Sequence, residues 1–145
     1  MVLMGPSQVG KSCWILKNYG MRVYYVTAPL PGHSVYFDMY EQEEIIWLPE
    51  FWGYIPQHIL QMMLDAHMPR LPVKHGFVPS NVKCVIFDTN YHPRDWFQQL
   101  RSPLINRLTR EGSEIWYKGS RNDEPRLVNF EDEYSVDGQP HPGFW

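Results

Sequence analysis

The stretch Gly5-Pro6-Ser7-Gln8-Val9-Gly10-Lys11-Ser12 matches the pattern G-x-x-x-x-G-K-[ST] at every fixed position. In such a loop the glycines let the backbone approach phosphate oxygens, and the amide N–H groups converge on them. Lys11 is placed to reach the β- and γ-phosphates, and the Ser12 hydroxyl is placed to bind Mg²⁺. Residues 5–12 therefore predict a binding site for a purine nucleoside triphosphate, with ATP as the expected ligand, together with Mg²⁺.

The residues on either side of this loop support the prediction. Val2-Leu3-Met4 is a short apolar run that ends at Gly5, which predicts a buried strand followed by a turn. The segment Lys11–Tyr19 contains neither Pro nor Gly and is followed by Gly20, which is typical of a helix. Strand, loop and helix in this order are the context that the motif requires. They disfavour the alternative of a chance Gly-rich turn.

The rest of the chain alternates between predicted strands and helices. Further strands are predicted over residues 23–26, 44–48, 82–87 and 114–117, and helices are predicted after Pro56 and from Ser102. Residues 71–80 predict an exposed hairpin or loop. We therefore predict an α/β fold with a mostly parallel sheet flanked by helices, formed by residues 1–120. Residues 121–145 are predicted to be an acidic, Pro-containing tail that is peripheral and partly disordered.

The composition excludes several classes of protein. The chain has 145 residues, of which 43% are hydrophobic, as expected for one globular domain. No apolar run approaches the ~18–20 residues of a membrane span, so we expect no membrane association. The net charge of −3 excludes a uniformly basic nucleic-acid binder, yet residues 66–110 carry seven basic and two acidic side chains between acidic flanks. This basic middle indicates either a local polyanion contact or clumped surface charge.

The cysteines and histidines predict no metal site and no disulfide framework. The two cysteines, Cys13 and Cys84, lie in unrelated segments, and the six histidines show no ligand spacing. A reducing, intracellular compartment is the expectation that follows from this use of cysteine.

Four stretches, taken in order, resemble one family of P-loop proteins. They are GPSQVGKS at 5–12, EIIWLPEFWGYIP at 44–56, VKHGFVPSNVKCVIFDTN at 73–90 and SPLINRLTR at 102–110. Over residues 2–118 the chain resembles the superfamily 3 helicase domain of the replication-associated (Rep) proteins of circovirus-like single-stranded DNA viruses. The resemblance implies an AAA+-like P-loop NTPase core that hydrolyses ATP. It also implies a hexameric ring that moves on single-stranded DNA during rolling-circle replication, in the host nucleus.

The resemblance assigns roles to residues that match the family's motifs. Glu50 would polarise the attacking water and contribute to the Mg²⁺ site, and Asn90 would sense the γ-phosphate. Lys74 and His75 would follow the DNA backbone, which suits a lysine on an exposed loop next to a glycine. Arg107 would act as an arginine finger on the nucleotide of the neighbouring subunit.

Simpler interpretations of these residues stay open. Asn90 follows a predicted strand and could serve only as a turn residue. Lys74 could be an ordinary surface charge. Arg107 could be a structural ion-pair partner, and Arg101 and Arg110 are rival candidates for the finger.

The sequence departs from the family pattern in two ways. In the second of the four stretches, residues 44–56, the family has two adjacent acids directly after the apolar strand. Here Pro49 takes the first of these positions, and only the second acid, Glu50, remains. A nucleotide-binding or assembly module with little hydrolysis is therefore the alternative function. In addition, no His-x-His motif occurs, so we expect this chain to carry the helicase domain without the family's upstream nicking endonuclease. A small P-loop kinase is less favoured, because no Arg-rich lid is recognisable.

Overall fold

The computed structural model describes residues 1–20, 23–30 and 32–132. Eight strands and three helices are present in this part of the chain. In chain order they are β1 (Val2–Met4), α1 (Lys11–Tyr19), β2 (Val23–Tyr25), β3 (Ile45–Leu48), α2 (Gln57–Met63), β4 (Arg70–Val73), β5 (Gly76–Pro79), β6 (Cys84–Thr89), α3 (Ser102–Thr109), β7 (Ile115–Tyr117) and β8 (Arg126–Leu127). A short 3₁₀ turn, Pro93–Asp95, lies between β6 and α3. The helices and strands predicted from the sequence are confirmed, with ends that shift by one or two residues.

Six strands form the main sheet, in the order β2-β3-β6-β1-β7-β8. The first five are parallel to one another, and β8 pairs antiparallel with β7 at the edge. β4 and β5 form a separate antiparallel hairpin. The predicted α/β fold with a mostly parallel sheet is confirmed, and this architecture is compatible with a P-loop-like fold.

The alternation of side chains along β1 builds a core on each face of the sheet. Val2 and Met4 point into the larger core, which also contains side chains from α2 and α3. Leu3 points to the other face and packs with Ile15 of α1. The sheet is therefore covered by helices on both faces, as parallel sheets generally are. None of the helices in the described ranges has the length and apolar character needed to cross a bilayer.

Part of the predicted tail joins the sheet. β8 is an exposed edge strand, and the Val128 amide after it donates to Ile115 O (2.9 Å). The Phe130 ring packs edge-on against His92, with ring centroids 5.2 Å apart. Residues 133–145 lie outside the described residues, so the disorder predicted for the end of the chain stays a prediction.

Gly53 fixes the turn between β3 and α2. Its φ is +98°, and a Cβ atom built at this position would lie 2.1 Å from Trp96 O. The loop therefore approaches the backbone of the segment after β6 more closely than any side chain allows. This contact holds the loop after β3 against the segment that follows β6.

We expect Gly53→Ala to lower the free energy of unfolding by about 3 kcal/mol or more. The left-handed conformation costs an alanine about 1–3 kcal/mol, and the clash with a backbone oxygen adds about 1–3 kcal/mol. Urea unfolding measures the change. Gly112→Ala is the matched control, because Gly112 also has a positive φ (+88°) but has open space around its Cβ position. Equal losses in the two variants would contradict the close approach.

Candidate functional site

The candidate site lies at the carboxyl edge of the parallel sheet, where the loops after β1, β3, β6 and β7 meet. These loops surround a cleft of about 640 Å³, a size that suits a nucleotide. The cleft brings together residues 7–12 of the predicted phosphate loop with Glu50, Asp88, Asn90, Lys118 and Arg121. Sequence analysis named Lys11, Ser12, Glu50 and Asn90 among these residues, and the fold places all four around one cleft.

The phosphate loop follows β1 directly and turns into α1. Gln8 and Gly10 have φ angles of 64° and 89°, in the left-handed region. Gly10 is the residue before the first turn of α1, and its carbonyl accepts a hydrogen bond from Trp14 N (3.0 Å). These conformations let the loop curl around the N-terminus of α1, where unpaired amides favour an anion.

Gly5 is required by close packing. A Cβ atom at this position would lie 2.1 Å from Lys118 O, in the segment after β7. The start of the loop is thus held against the neighbouring strand end, so the first glycine of the motif has a structural reason that does not depend on phosphate binding.

Lys11 lies inside the loop. Its side chain is 5% exposed, and its Nζ donates hydrogen bonds to Gly5 O (3.1 Å) and Pro6 O (2.7 Å). Both acceptors belong to the loop that precedes α1. The ammonium group is therefore held within the curl of the loop, where a bound phosphate would meet it.

Asp88 is a site residue that sequence analysis missed. It is the second-last residue of β6, is 2% exposed, and lines the cleft. Its Oδ2 atom accepts hydrogen bonds from Ser12 Oγ (3.1 Å) and Trp47 Nε1 (3.3 Å). A signal was present in the sequence, because an acid follows the apolar run Val85-Ile86-Phe87 of a predicted buried strand. Burial of a carboxylate is costly, so an acid at such a position indicates a specific role.

The environment of Asp88 raises the pKa of its carboxyl group. Loss of solvation by burial is the largest cause, and it outweighs the Lys11 ammonium and the hydrogen bonds from Ser12 and Trp47, which lower the pKa. The nearby Glu50 carboxylate adds to the increase. Asp88 is thus a destabilised anion that a further cation in the cleft would stabilise.

Glu50 and Asn90 come from the loops after β3 and β6. Glu50 is exposed and has a positive φ of 46°. The two loops are joined by the amide of Phe51, which donates to Asp88 O (2.7 Å), and by Thr89, whose hydroxyl donates to Phe51 O (2.7 Å). The buried Thr89 therefore fixes the position of Asn90 relative to Glu50.

Lys118 and Arg121, in the segment after β7, also escaped sequence analysis. Lys118 is buried, and its Nζ donates to Ser120 O and Asp123 O, both at 2.7 Å. Arg121 Nε donates to Gln8 O (2.9 Å) of the phosphate loop. A signal for Lys118 and Arg121 was present in the sequence, because both come just after the strand predicted over residues 114–117. The carboxyl end of that strand lies at the edge of the sheet where the phosphate loop was expected.

Lys74 and His75 do not line the cleft at the carboxyl edge. They form the two-residue turn between β4 and β5, and the Lys74 side chain is 70% exposed. Lys74 Nζ lies 4.0 Å from Asp38 Oδ2, and the Lys74 amide donates to Asp38 Oδ1 (3.1 Å). Of the hairpin or loop predicted over residues 71–80, the structure forms a hairpin; its tip and most of β5 are exposed, whereas Leu71 and Pro72 of β4 are buried.

Arg107 lies near the opposite, amino edge of the sheet. It lines a separate cleft together with Met1, Cys84 and Glu114, which precede or begin β1, β6 and β7. Its Nη1 donates to Pro103 O (3.1 Å), and its buried Nε has no hydrogen-bond partner within the described residues. Within one chain, Arg107 therefore does not reach the phosphate loop.

The rival arginines are divided between two places. Arg110 lines the same cleft as Arg107, and its Nη2 donates to Leu64 O (2.8 Å). Arg101 lies elsewhere, in a cleft that it shares with Lys74 of the hairpin.

Comparison with known proteins finds relatives of one kind. The chain is 28% identical over 118 residues to the Replication-associated protein of Beak and feather disease virus, covering 80% of this chain and 37% of that protein. It is 28% identical over 109 residues to that of Porcine circovirus 1, and 28% identical over 97 residues to that of Canary circovirus. These matches cover 75% and 67% of this chain, and 34% and 31% of the relatives.

The similarity supports a Rep-like protein. The chain spans about a third of the length of the relatives that it matches. No family model matches the chain.

We expect Asp88→Asn to become more stable relative to the unsubstituted chain as the pH rises. Folding raises the pKa of Asp88 above its ordinary value of 3.8, so the stability that this group contributes at low pH is lost as the pH rises through the raised pKa. The asparagine side chain of the variant stays neutral and can still accept from Ser12. Urea unfolding across the acidic range and at neutral pH, without nucleotide or metal, measures the difference.

Asp65→Asn is the control with the opposite sign. Hydrogen bonds from the amides of Met68 and His67 lower the pKa of this carboxyl group. Its contribution is present at neutral pH and is lost as the pH falls through the lowered pKa, so this variant is the less stable one at neutral pH. If Asp88→Asn followed the same trend as Asp65→Asn, the assignment of Asp88 as a destabilised anion would be wrong.

Proposed function

We propose that this chain is the ATP-dependent motor of a Rep-like viral protein that acts in DNA replication. In this proposal it hydrolyses ATP and moves on single-stranded DNA as a hexameric ring during rolling-circle replication in the host nucleus. The observation that carries the proposal is the convergence of Lys11, Ser12, Glu50 and Asn90 on one cleft at the carboxyl edge. The similarity to circovirus Replication-associated proteins supports its viral setting.

The residues of the cleft suit phosphoryl transfer from ATP to water. The amides of residues 5–12 and the N-terminus of α1 bind the phosphates, and Lys11 exchanges its contacts with Gly5 O and Pro6 O for the terminal phosphate. Glu50 is exposed at the mouth of the cleft, where it can take a proton from the attacking water. Asn90 orients that water and contacts the γ-phosphate.

The donor set of the cleft fits Mg²⁺. This ion prefers oxygen ligands and usually binds through one or two protein groups together with substrate phosphates and water. Ser12 and the carboxylates of the cleft supply such oxygens. The described residues contain no group of three or more His, Cys, Asp or Glu side chains that could hold a metal alone. In this proposal, phosphate oxygens and water complete the coordination. Bound there, Mg²⁺ supplies neutralisation of the charge that develops on the phosphates.

The β4–β5 hairpin is the proposed contact to DNA. Lys74 and His75 form its exposed tip, and Arg70 on β4 stacks over the Phe77 ring of β5 at 6.0 Å. A basic, aromatic hairpin suits a flexible single strand, which is bound through its phosphates and stacked bases without regard to sequence.

An assembly module with little hydrolysis is the second candidate, and Pro49 is the observation that favours it. Proline at this position brings no carboxylate to the cleft. The two candidates differ in one measurable property, because a motor turns over ATP faster when single-stranded DNA is bound and an assembly module does not.

We expect the 145-residue chain to bind ATP with Mg²⁺ and to hydrolyse it faster with single-stranded DNA. Lys11→Ala weakens ATP binding by about 10- to 100-fold, since a hydrogen bond to a charged group contributes about 1.5–3 kcal/mol. Lys74→Ala keeps ATP binding but weakens DNA binding, and lowers the slope of log affinity against log salt by about 0.7 for each phosphate that the protein no longer neutralises. Calorimetry and DNA titrations at several salt concentrations measure both effects.

Lys83→Ala is the matched control for Lys74→Ala. Lys83 belongs to the same basic middle of the sequence but lines the cleft at the amino edge of the sheet. Equal losses of DNA affinity in the two variants would indicate a diffuse charge effect and would contradict the hairpin contact. ATP turnover that is insensitive to DNA would favour the assembly module.

The arginine finger is tested by mixing two inactive variants. Lys11→Ala has a defective phosphate loop and an intact Arg107, whereas Arg107→Ala has the reverse. Each alone is expected to lose ATP turnover, by about 10³-fold or more for the arginine, and a mixture is expected to recover part of it. Recovery follows because a ring pairs the loop of one chain with the arginine of the next.

The same mixture made with Arg110→Ala or Arg101→Ala identifies the finger if Arg107 is the wrong one. The absence of recovery in all three mixtures, with each variant folded, would contradict catalysis between subunits.

A further inference from the structure

The carboxyl ends of β3 and β6 lie side by side, and this bears on the missing acid at position 49. The two strands are parallel neighbours whose last paired residues are Leu48 and Phe87. Asp88 is the next residue of β6, and Pro49 is the first residue after β3. Because side chains alternate along a strand, Asp88 faces away from the core that contains Phe87, toward the face covered by α1, where it accepts from Ser12.

Asp88 occupies the place beside the phosphate loop that a metal-binding acid needs. Its Oδ2 atom lies 3.1 Å from Ser12 Oγ, the hydroxyl expected to ligate Mg²⁺. Trp47 Nε1 donates to the same oxygen from the adjacent strand and fixes the carboxylate in its rotamer. The side chain is 2% exposed, which is costly for a carboxylate whose hydrogen bonds come from two neutral donors.

Two charged groups of the cleft act on this carboxylate. The Lys11 ammonium is close enough to favour its ionised form, but that ammonium donates to Gly5 O and Pro6 O. Glu50 is a second acid at the exposed mouth of the cleft. Lys118 and Arg121 also line the cleft, but they donate to backbone carbonyls. The charges that act on one another at Asp88 are therefore those of two acids and one lysine, which leaves room for a divalent cation bound together with a triphosphate.

We propose that Asp88, at the end of β6, supplies the carboxylate that holds the nucleotide's Mg²⁺ together with Ser12, in place of the acid that Pro49 removes from the end of β3. The inference rests on the proposed function and deepens it. It leaves Glu50 to act on the attacking water, so the missing acid at position 49 does not by itself make the chain inactive.

The test is the coupling between Mg²⁺ and ATP binding. Calorimetry measures ATP affinity with Mg²⁺ and with a chelator, and Mn²⁺ paramagnetic resonance measures metal affinity of the ATP-bound chain; neither needs turnover. In Asp88→Asn we expect the affinity gained from the metal to fall by about 10- to 100-fold, as for other groups that orient a bound metal. Affinity for metal-free ATP stays equal or rises, because a negative charge near the phosphates is removed.

Three further variants define the alternatives. Asp38→Asn is the matched control, because this carboxylate contacts Lys74 of the hairpin and lies outside the cleft; it is expected to keep the full coupling. Glu50→Gln is expected to keep most of it, and a larger loss there than in Asp88→Asn would overturn the assignment. Pro49→Asp combined with Asp88→Asn is expected to restore part of the coupling, because it returns a carboxylate to the neighbouring strand end.

The outcomes separate this inference from the proposed function. If the unsubstituted chain binds ATP more tightly with Mg²⁺ and Asp88→Asn does so equally, the inference is wrong while nucleotide binding stands. If Asp88→Asn weakens ATP binding to the same extent with and without metal, Asp88 has only a structural role and the inference is also wrong. If the folded, unsubstituted chain binds no ATP in either condition, the proposed function fails and the inference fails with it.

Discussion

β1 is held between β6 and β7, and the position of every other group in the site depends on this constraint. The strand contributes only three residues, but its neighbours also fix the residues that follow it. The Gly5 amide donates to Thr89 O (3.3 Å), and the Lys118 amide donates to Met4 O (2.9 Å). The phosphate loop therefore begins from a point that is tied to both adjacent strand ends, which is the preorganisation that binding a multiply charged ligand requires.

Two basic side chains of the cleft already donate hydrogen bonds to backbone carbonyl groups, so fewer basic groups are left to bind phosphates. Lys118 directs its ammonium to carbonyls of the segment that follows β7, and Arg121 directs its Nε to Gln8 O. These two cations shape the loops, whereas Lys11 is held at the centre of the phosphate loop. Asp88 is the counterpart of Lys11, since its buried carboxylate is stabilised by that ammonium and destabilised by the loss of water. A site with this balance favours a ligand that brings both an anion and a divalent cation.

Most of the fold could be predicted from local sequence patterns, because its elements are short and strongly marked. The apolar runs of β1 and β3, the Gly20 end of α1, and the Ser102-Pro103 start of α3 each carry a signal that acts within a few residues. Asp88 could not be assigned in this way. Its role depends on the pairing of β6 with β1 and β3, and a single sequence does not give strand order.

Lys118 and Arg121 were missed for the same reason. They reach the cleft only because β7 lies next to β1. β8 has two residues, and its pairing depends on β7 rather than on any pattern of its own. Of the site residues that sequence analysis did find, Lys11 and Ser12 belong to a motif whose spacing is read along the chain, whereas Glu50 and Asn90 were assigned from the family resemblance of residues 44–56 and 73–90.

The proposed motor needs a physical connection between the cleft and the hairpin, since Lys74 lies outside the cleft. The segment between β3 and α2 provides one. The buried Tyr54 hydroxyl donates to Pro49 O (2.8 Å), and Gly53 packs against Trp96 O, so this segment is tightly fixed to the strand ends that carry Glu50 and Asn90. α2 follows directly and packs against β4. These contacts form a continuous path from the end of β3 through α2 to β4, and the proposed motor would use this path.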